Sequence, residues 1–74
     1  MNTVYSMIKK DDSKLAIVNT ANGQTRKLLT VDGIITSGPN ISGEIATVQV
    51  KKGNVVKMYV YDLKSGNVKR IFTV

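Results

Sequence analysis

Cysteine and histidine are both absent from this 74-residue sequence. Without cysteine there is no disulfide framework and no thiolate metal site. Without histidine, the usual acid–base group at neutral pH and the commonest metal ligand are missing. Nucleophilic triads go with them, barring unusual Ser–Lys arrangements. The five carboxylates, Asp11, Asp12, Asp32, Glu44 and Asp62, are scattered and follow no hard-metal motif. Asp11 and Asp12 stand in a polar turn, where Asp is expected on structural grounds. No glycine run has phosphate-loop or dinucleotide spacing. The two-glycine stretch "SGPNISG" (37–43) reads as a plain connection rather than an anion-holding nest. The expectation is a non-enzymatic chain with no cofactor and no metal.

Long apolar runs are lacking too. No stretch approaches the roughly 20 apolar residues that cross a bilayer as a helix. The start, "MNTVYSMIKKDD", has none of the parts of a signal peptide. These readings point away from a membrane and towards the cytoplasm of a cell or virus-infected host. Acidic residues are few: eleven Lys and Arg outweigh five Asp and Glu, for a formal charge of +6. Such a balance favours anionic partners, nucleic acid among them, and equally keeps a small protein soluble. Lysine supplies most of the charge, whereas arginine is the better reader of phosphates and base edges. The basic residues fall in pairs at Lys9-Lys10, Arg26-Lys27, Lys51-Lys52 and Lys69-Arg70.

What the sequence does have is Val, Ile and Thr in short runs, separated by Gly and Asn. β-Branched side chains fit a pleated sheet better than a helix, and no segment holds a 3.6-residue period over three turns. Strands are expected at "TVYSMIK" (3–9), "KLAIVN" (14–19), "TRKLLTV" (25–31), "IIT" (34–36), "EIATVQVK" (44–51), "VVKMYVYD" (55–62) and "NVKRIFTV" (67–74). Asn22-Gly23 and Lys52-Gly53-Asn54 mark tight hairpin turns. Pro39 is expected between strands, where its missing N–H costs nothing. The fold class is all-β, an antiparallel protein of six or seven short strands, either barrel- or sandwich-like or propeller-blade-like.

A shift of 43 positions superimposes the two parts of the chain without a gap. Gly23 then falls on Gly66, Asn19 on Asp62, "LAIV" (15–18) on "MYVY" (58–61) and "RKLLTV" (26–31) on "KRIFTV" (69–74). The expected organisation is one domain, 1–74, with repeat one at 1–31, a connection at 32–43 and repeat two at 44–74.

In "MYVYDLKSGNVKRIF" (58–72), alternation sets Val56, Met58 and Val60 on one side of a strand and Lys57, Tyr59 and Tyr61 on the other. The first side reads as core. The second suits either packing against another sheet or a platform for bases or a partner protein, since Tyr tolerates both settings.

A period of hairpins of this length resembles the TolB-like/WD40-like (PD40-type) propeller repeat. "PNISGEIATV" (39–48) is similar to that family's turn and following strand through Pro39, Ile41, Ser42, Gly43, Ile45 and Ala46. "MYVYDLKSGNVKRI" (58–71) is similar to its later hairpin through Asp62 and Gly66. The Pro-Asp of the family's turn is missing between Ser42 and Gly43, and its counterpart near residues 1–3 is absent. The resemblance implies a propeller blade, of which this chain holds fewer than two.

A domain of this size buries only about 60% of the surface its unfolded chain exposes, so the chain must either hold itself with a small apolar core or borrow burial from a partner. The leading expectation is a protein-binding or structural adaptor that self-associates. Tyr59, Tyr61 and Phe72 are its expected anchors, because aromatics dominate such contacts. The alternative is a small basic nucleic-acid-binding protein. It would use Lys57, Tyr59, Tyr61 and Arg70, with Lys9, Lys10, Lys51 and Lys52 as a basic rim.

Overall fold

The computed structural model describes residues 4–74, so the expected start of the first strand at Thr3 and the turn near residues 1–3 lie outside the described residues. Seven antiparallel strands run in chain order: β1 (Tyr5–Asp11), β2 (Lys14–Asn19), β3 (Thr25–Thr30), β4 (Ile34–Ser42), β5 (Ile45–Lys52), β6 (Val55–Asp62) and β7 (Asn67–Thr73). They form two sheets of sequential neighbours, β1-β2-β3 and β4-β5-β6-β7. The all-β expectation holds, and six of the seven strands fall within two residues of their expected bounds at the described ends.

The exception is β4. The stretch 37–43, expected to be a connection, is mostly strand, and Pro39 lies within it. Ser37 pairs with Gln49 and Asn40 with Thr47, so Gly38 and Pro39 bulge out of the ladder on an edge strand. An edge bulge is one of the few places in a sheet that tolerates a residue without an N–H.

This arrangement also corrects the propeller resemblance. Pro39, Ile41 and Ser42, matched to a turn, belong to strand β4. The chain makes two open antiparallel sheets of three and four strands, neither a curled blade nor a closed barrel.

The sheets meet through one apolar cluster. Met7, Leu15 and Ile17 from the three-stranded sheet face Ile35, Ala46, Val48, Val50, Tyr61 and Leu63, with Val31 of the linker completing the cluster. Tyr5, Leu29 and Tyr59 close its margins. Burying a Leu or Ile side chain such as Leu15 or Ile17 contributes about 1.5–3 kcal/mol each. Among the described residues no charged side chain is buried.

The linker between the sheets is tied to the first hairpin. The Val31 N–H donates to the Ser13 carbonyl (2.9 Å) and the Ile35 N–H to the Asp12 carbonyl (2.7 Å). The Ser13 hydroxyl donates to the Gly33 carbonyl (2.6 Å). Gly33 has φ +137°, and a Cβ there would stand 2.5 Å from the Lys51 carbonyl oxygen, so only glycine lets the linker pass this close to β5.

The repeat is real at the level of backbone geometry in its second part. Ile17 pairs with Lys27 and Val18 with Thr25, leaving Arg26 as the bulged residue. Val60 pairs with Arg70 and Tyr61 with Val68, leaving Lys69 in the same role 43 positions later. The connecting turns match bond for bond. The Gly23 N–H donates to the Asn19 carbonyl and Gly66 to that of Asp62 (2.7 and 2.8 Å). The Asn19 and Asp62 side chains accept the Ala21 and Lys64 N–H groups, both at 2.9 Å. The first hairpin departs from the gapless superposition. Tyr5 pairs with Asn19 and Ile45 with Asp62, so β1 matches β5 at an offset of 40, not 43.

Candidate functional site

Strand β6 decides where most of the expected site residues go. Directly paired residues of adjacent strands share a face. Ala46 pairs with Tyr61, Val48 with Tyr59 and Val50 with Lys57. Ala46, Val48 and Val50 are buried, so the face carrying Lys57, Tyr59 and Tyr61 is the inner one. Val56, Met58 and Val60 point outward, the reverse of the core assignment made from the sequence. Both faces are apolar enough to serve as core, and alternation sets the faces apart without choosing between them.

Tyr61 is 3% exposed, and its ring stacks on Tyr59 with centroids 6.1 Å apart and planes 25° from parallel. Burial, and secondarily the neighbouring Tyr59, pushes the Tyr61 phenol up to about 12. The two rings are therefore turned against the other sheet and do not form an outward stacking platform.

Lys57 and Tyr59 reach the end of this inner face, where with Asp32, Val50, Lys52, Gly53 and Val55 they line an open pocket of about 530 Å³. The Lys52 ammonium donates to the Asp32 carboxylate at 2.7 Å. That hydrogen bond and the charge behind it raise the Lys52 pKa. The pocket holds two ammonium groups, one carboxylate and one phenol.

Arg70 and Phe72 lie on the opposite face of the same sheet. Arg70 pairs with Val60 and Phe72 with Met58, so both belong to the outer face with Ile45, Thr47 and Val56. The structure thus splits the expected interface group: Lys57, Tyr59 and Tyr61 inside, Arg70 and Phe72 outside. The outer face is unusually apolar for a solvent side. Ile45, Val56, Met58 and Val60 are half-buried and Phe72 is 47% exposed.

The four rim lysines gather at one end of the molecule, since the first hairpin turn and Lys51 both lie against Gly33. Two of the four have an acidic partner. Lys9 pairs with Asp12 (3.5 Å) and Lys52 with Asp32 (2.7 Å). Asp11 stands in the same turn, its carboxylate accepting the Ser13 N–H at 2.8 Å.

One contact went unforeseen. The basic pair Arg26-Lys27 of β3 clamps the turn between β6 and β7. Arg26 Nη1 donates to the Leu63 carbonyl (3.0 Å), and Lys27 Nζ donates to the Gly66 carbonyl (2.7 Å). The Arg26 guanidinium also lies 4.6 Å from the centre of the Tyr5 ring. Beneath the clamp, a Cβ on Gly66 would meet Lys27 Cδ at 3.0 Å. The signal was available in the superposition, which sets Arg26-Lys27 on Lys69-Arg70.

Among the described residues, no three His, Cys, Asp or Glu side chains come together to hold a metal ion, and no helix is long and apolar enough to cross a membrane. Comparison with protein-family models, curated proteins and solved structures finds no match for this chain.

Proposed function

We propose that this chain is a non-enzymatic protein-binding module that self-associates, with the outer face of the four-stranded sheet as its contact surface. The supporting observation is the band of half-buried Ile45, Val56, Met58 and Val60 with the exposed Phe72 on that face, edged by Arg70. A contiguous apolar patch on a sheet face is the mark of an interaction surface. Of the three aromatic anchors expected from the sequence, Phe72 is the one on this face; Tyr59 and Tyr61 serve the contact between the sheets.

Sedimentation velocity over a concentration series tests the proposal. Wild-type protein is expected to rise above monomer mass with concentration. Phe72→Asp, with an unchanged far-ultraviolet dichroism spectrum, is expected to stay monomeric. A random single-stranded oligonucleotide is expected to bind negligibly at physiological salt. A monomer at every concentration, together with oligonucleotide affinity that falls steeply as salt is added, overturns the proposal in favour of nucleic-acid binding.

A further inference from the structure

We infer that the outer face of the four-stranded sheet receives the outer face of the three-stranded sheet of a second copy, repeating between chains the contact that joins the two sheets within one. This rests on the reading of that face as a protein contact surface, and names its partner.

The argument comes from which faces meet inside the molecule. The three-stranded sheet presents Leu15, Ile17, Lys27 and Leu29 inward. Their counterparts 43 positions on are Met58, Val60, Arg70 and Phe72, and these point outward. Conversely, the four-stranded sheet presents Tyr59 and Tyr61 inward, and their counterparts Ala16 and Val18 lie on the outer face of the three-stranded sheet. The internal contact is therefore heterologous: one kind of face on the first sheet meets the other kind on the second. Each kind remains once, uncovered, on the outside. A heterologous contact leaves complementary faces that an added copy can satisfy.

The basic pairs follow the same logic. Arg26-Lys27 grips the carbonyls of Leu63 and Gly66. Among the described residues, the side chains of Lys69 and Arg70, at the equivalent bulge, make no hydrogen bond or ion pair. The equivalent of Gly66 is Gly23, in a turn of the same hydrogen-bonded geometry, with nothing within 4 Å of where its Cβ would stand. In the assembled state Arg70 of one chain reaches the Gly23 carbonyl of the next, as Lys27 reaches Gly66. The outer face of the three-stranded sheet is apolar too, with Ile8 43% and Leu28 69% exposed on either side of Ala16, which is itself 0% exposed between them. It is also flatter than its internal counterpart, because Ala16 and Val18 replace Tyr59 and Tyr61. The contact between chains is accordingly weaker than the one within, and depends on concentration.

A mixing experiment tests the pairing. Phe72→Asp spoils one face and Leu28→Asp the other; both positions are exposed, and dichroism checks that each variant folds. Each alone is expected to be monomeric, while an equimolar mixture forms a one-to-one dimer through the two intact faces. Arg70→Ala is expected to weaken wild-type association about tenfold, the loss of a charged hydrogen bond, and Lys57→Ala, on the inner face, to leave it unchanged. If wild type associates but the mixture stays monomeric, or if Leu28→Asp alone still associates, the head-to-tail pairing is overturned and self-association through another geometry stands. If wild type is monomeric throughout, both are overturned.

Discussion

The two sheets of this protein are built from the same turn, the same bulge and the same basic pair, yet they are buried in opposite senses. In the three-stranded sheet the central strand turns Leu15 and Ile17 inward; in the four-stranded sheet the equivalent Met58 and Val60 turn outward, and Tyr59 and Tyr61 fill the core. A repeated sequence pattern has thus been used for two different environments. The lesson is physical: hydrogen bonds and dihedral preferences shape the hairpin locally, while burial is assigned by whichever sheet lies alongside. The same applies to charge. Arg26-Lys27 spends its donors on a neighbouring turn, and Lys69-Arg70 faces solvent from the equivalent bulge.

The sharpest way to break the comparison is to cut equivalent side chains. Tyr61→Ala empties the core and is expected to cost about 3–4 kcal/mol. Val18→Ala, its counterpart on the outer face, is expected to cost about 1 kcal/mol or less. Urea midpoints at constant m-value measure both, and equal losses would sink the claim that the two positions differ in environment.

Alkaline pH reaches the same asymmetry without mutation. The Tyr61 phenol ionises near 10 when unfolded and at about 12 in the folded chain, so between those values the unfolded state has shed a proton that the native state still holds. Stability is complete below pH 10 and falls as pH rises through 12, by about 1–2 kcal/mol once screening by solvent is allowed for. Tyrosinate absorbance and denaturation run in parallel measure this. Tyr61→Phe is expected to remove most of the slope.

A smaller difference separates the basic pairs. Arg26→Ala loses a hydrogen bond to Leu63 and the contact with Tyr5, for about 1–2 kcal/mol. Lys69→Ala, in monomeric protein, is expected to change stability by no more than about 0.5 kcal/mol. Thermal melts of the two variants at low concentration compare them directly. The smallest effect belongs to Lys52, whose ion pair with Asp32 is exposed to water. Lys52→Ala is expected to leave the melting temperature unchanged within measurement, and a clear drop would mean that the rim pair holds the linker in place.

Much of this fold is legible in the residues. Val, Ile and Thr runs of six to eight residues allow little but strands, and Asn22-Gly23 and Ser65-Gly66 can only close hairpins of this kind. The candidate surface is less legible. Residues 37–43, with two glycines and a proline, have the composition of a loop; β4 forms there because β5 supplies a ladder and a bulge absorbs Pro39. Lys57, Tyr59 and Tyr61 share a face with one another but not with Arg70 and Phe72, a separation set by cross-strand register.

Alternation and turn chemistry are local properties, and they determined that this chain folds as antiparallel hairpins with two apolar faces on β6 and a duplicated turn. Which face is core, which basic pair becomes a clamp and which is left facing solvent were decided only when one sheet packed on the other. Those outcomes depend on contacts between residues far apart in the chain, such as Arg26 with Leu63 and Ile17 with the Val48 side of the cluster. No local preference distinguishes two faces that are both apolar; the three-stranded sheet chose between them by covering Tyr61 and leaving Phe72 exposed.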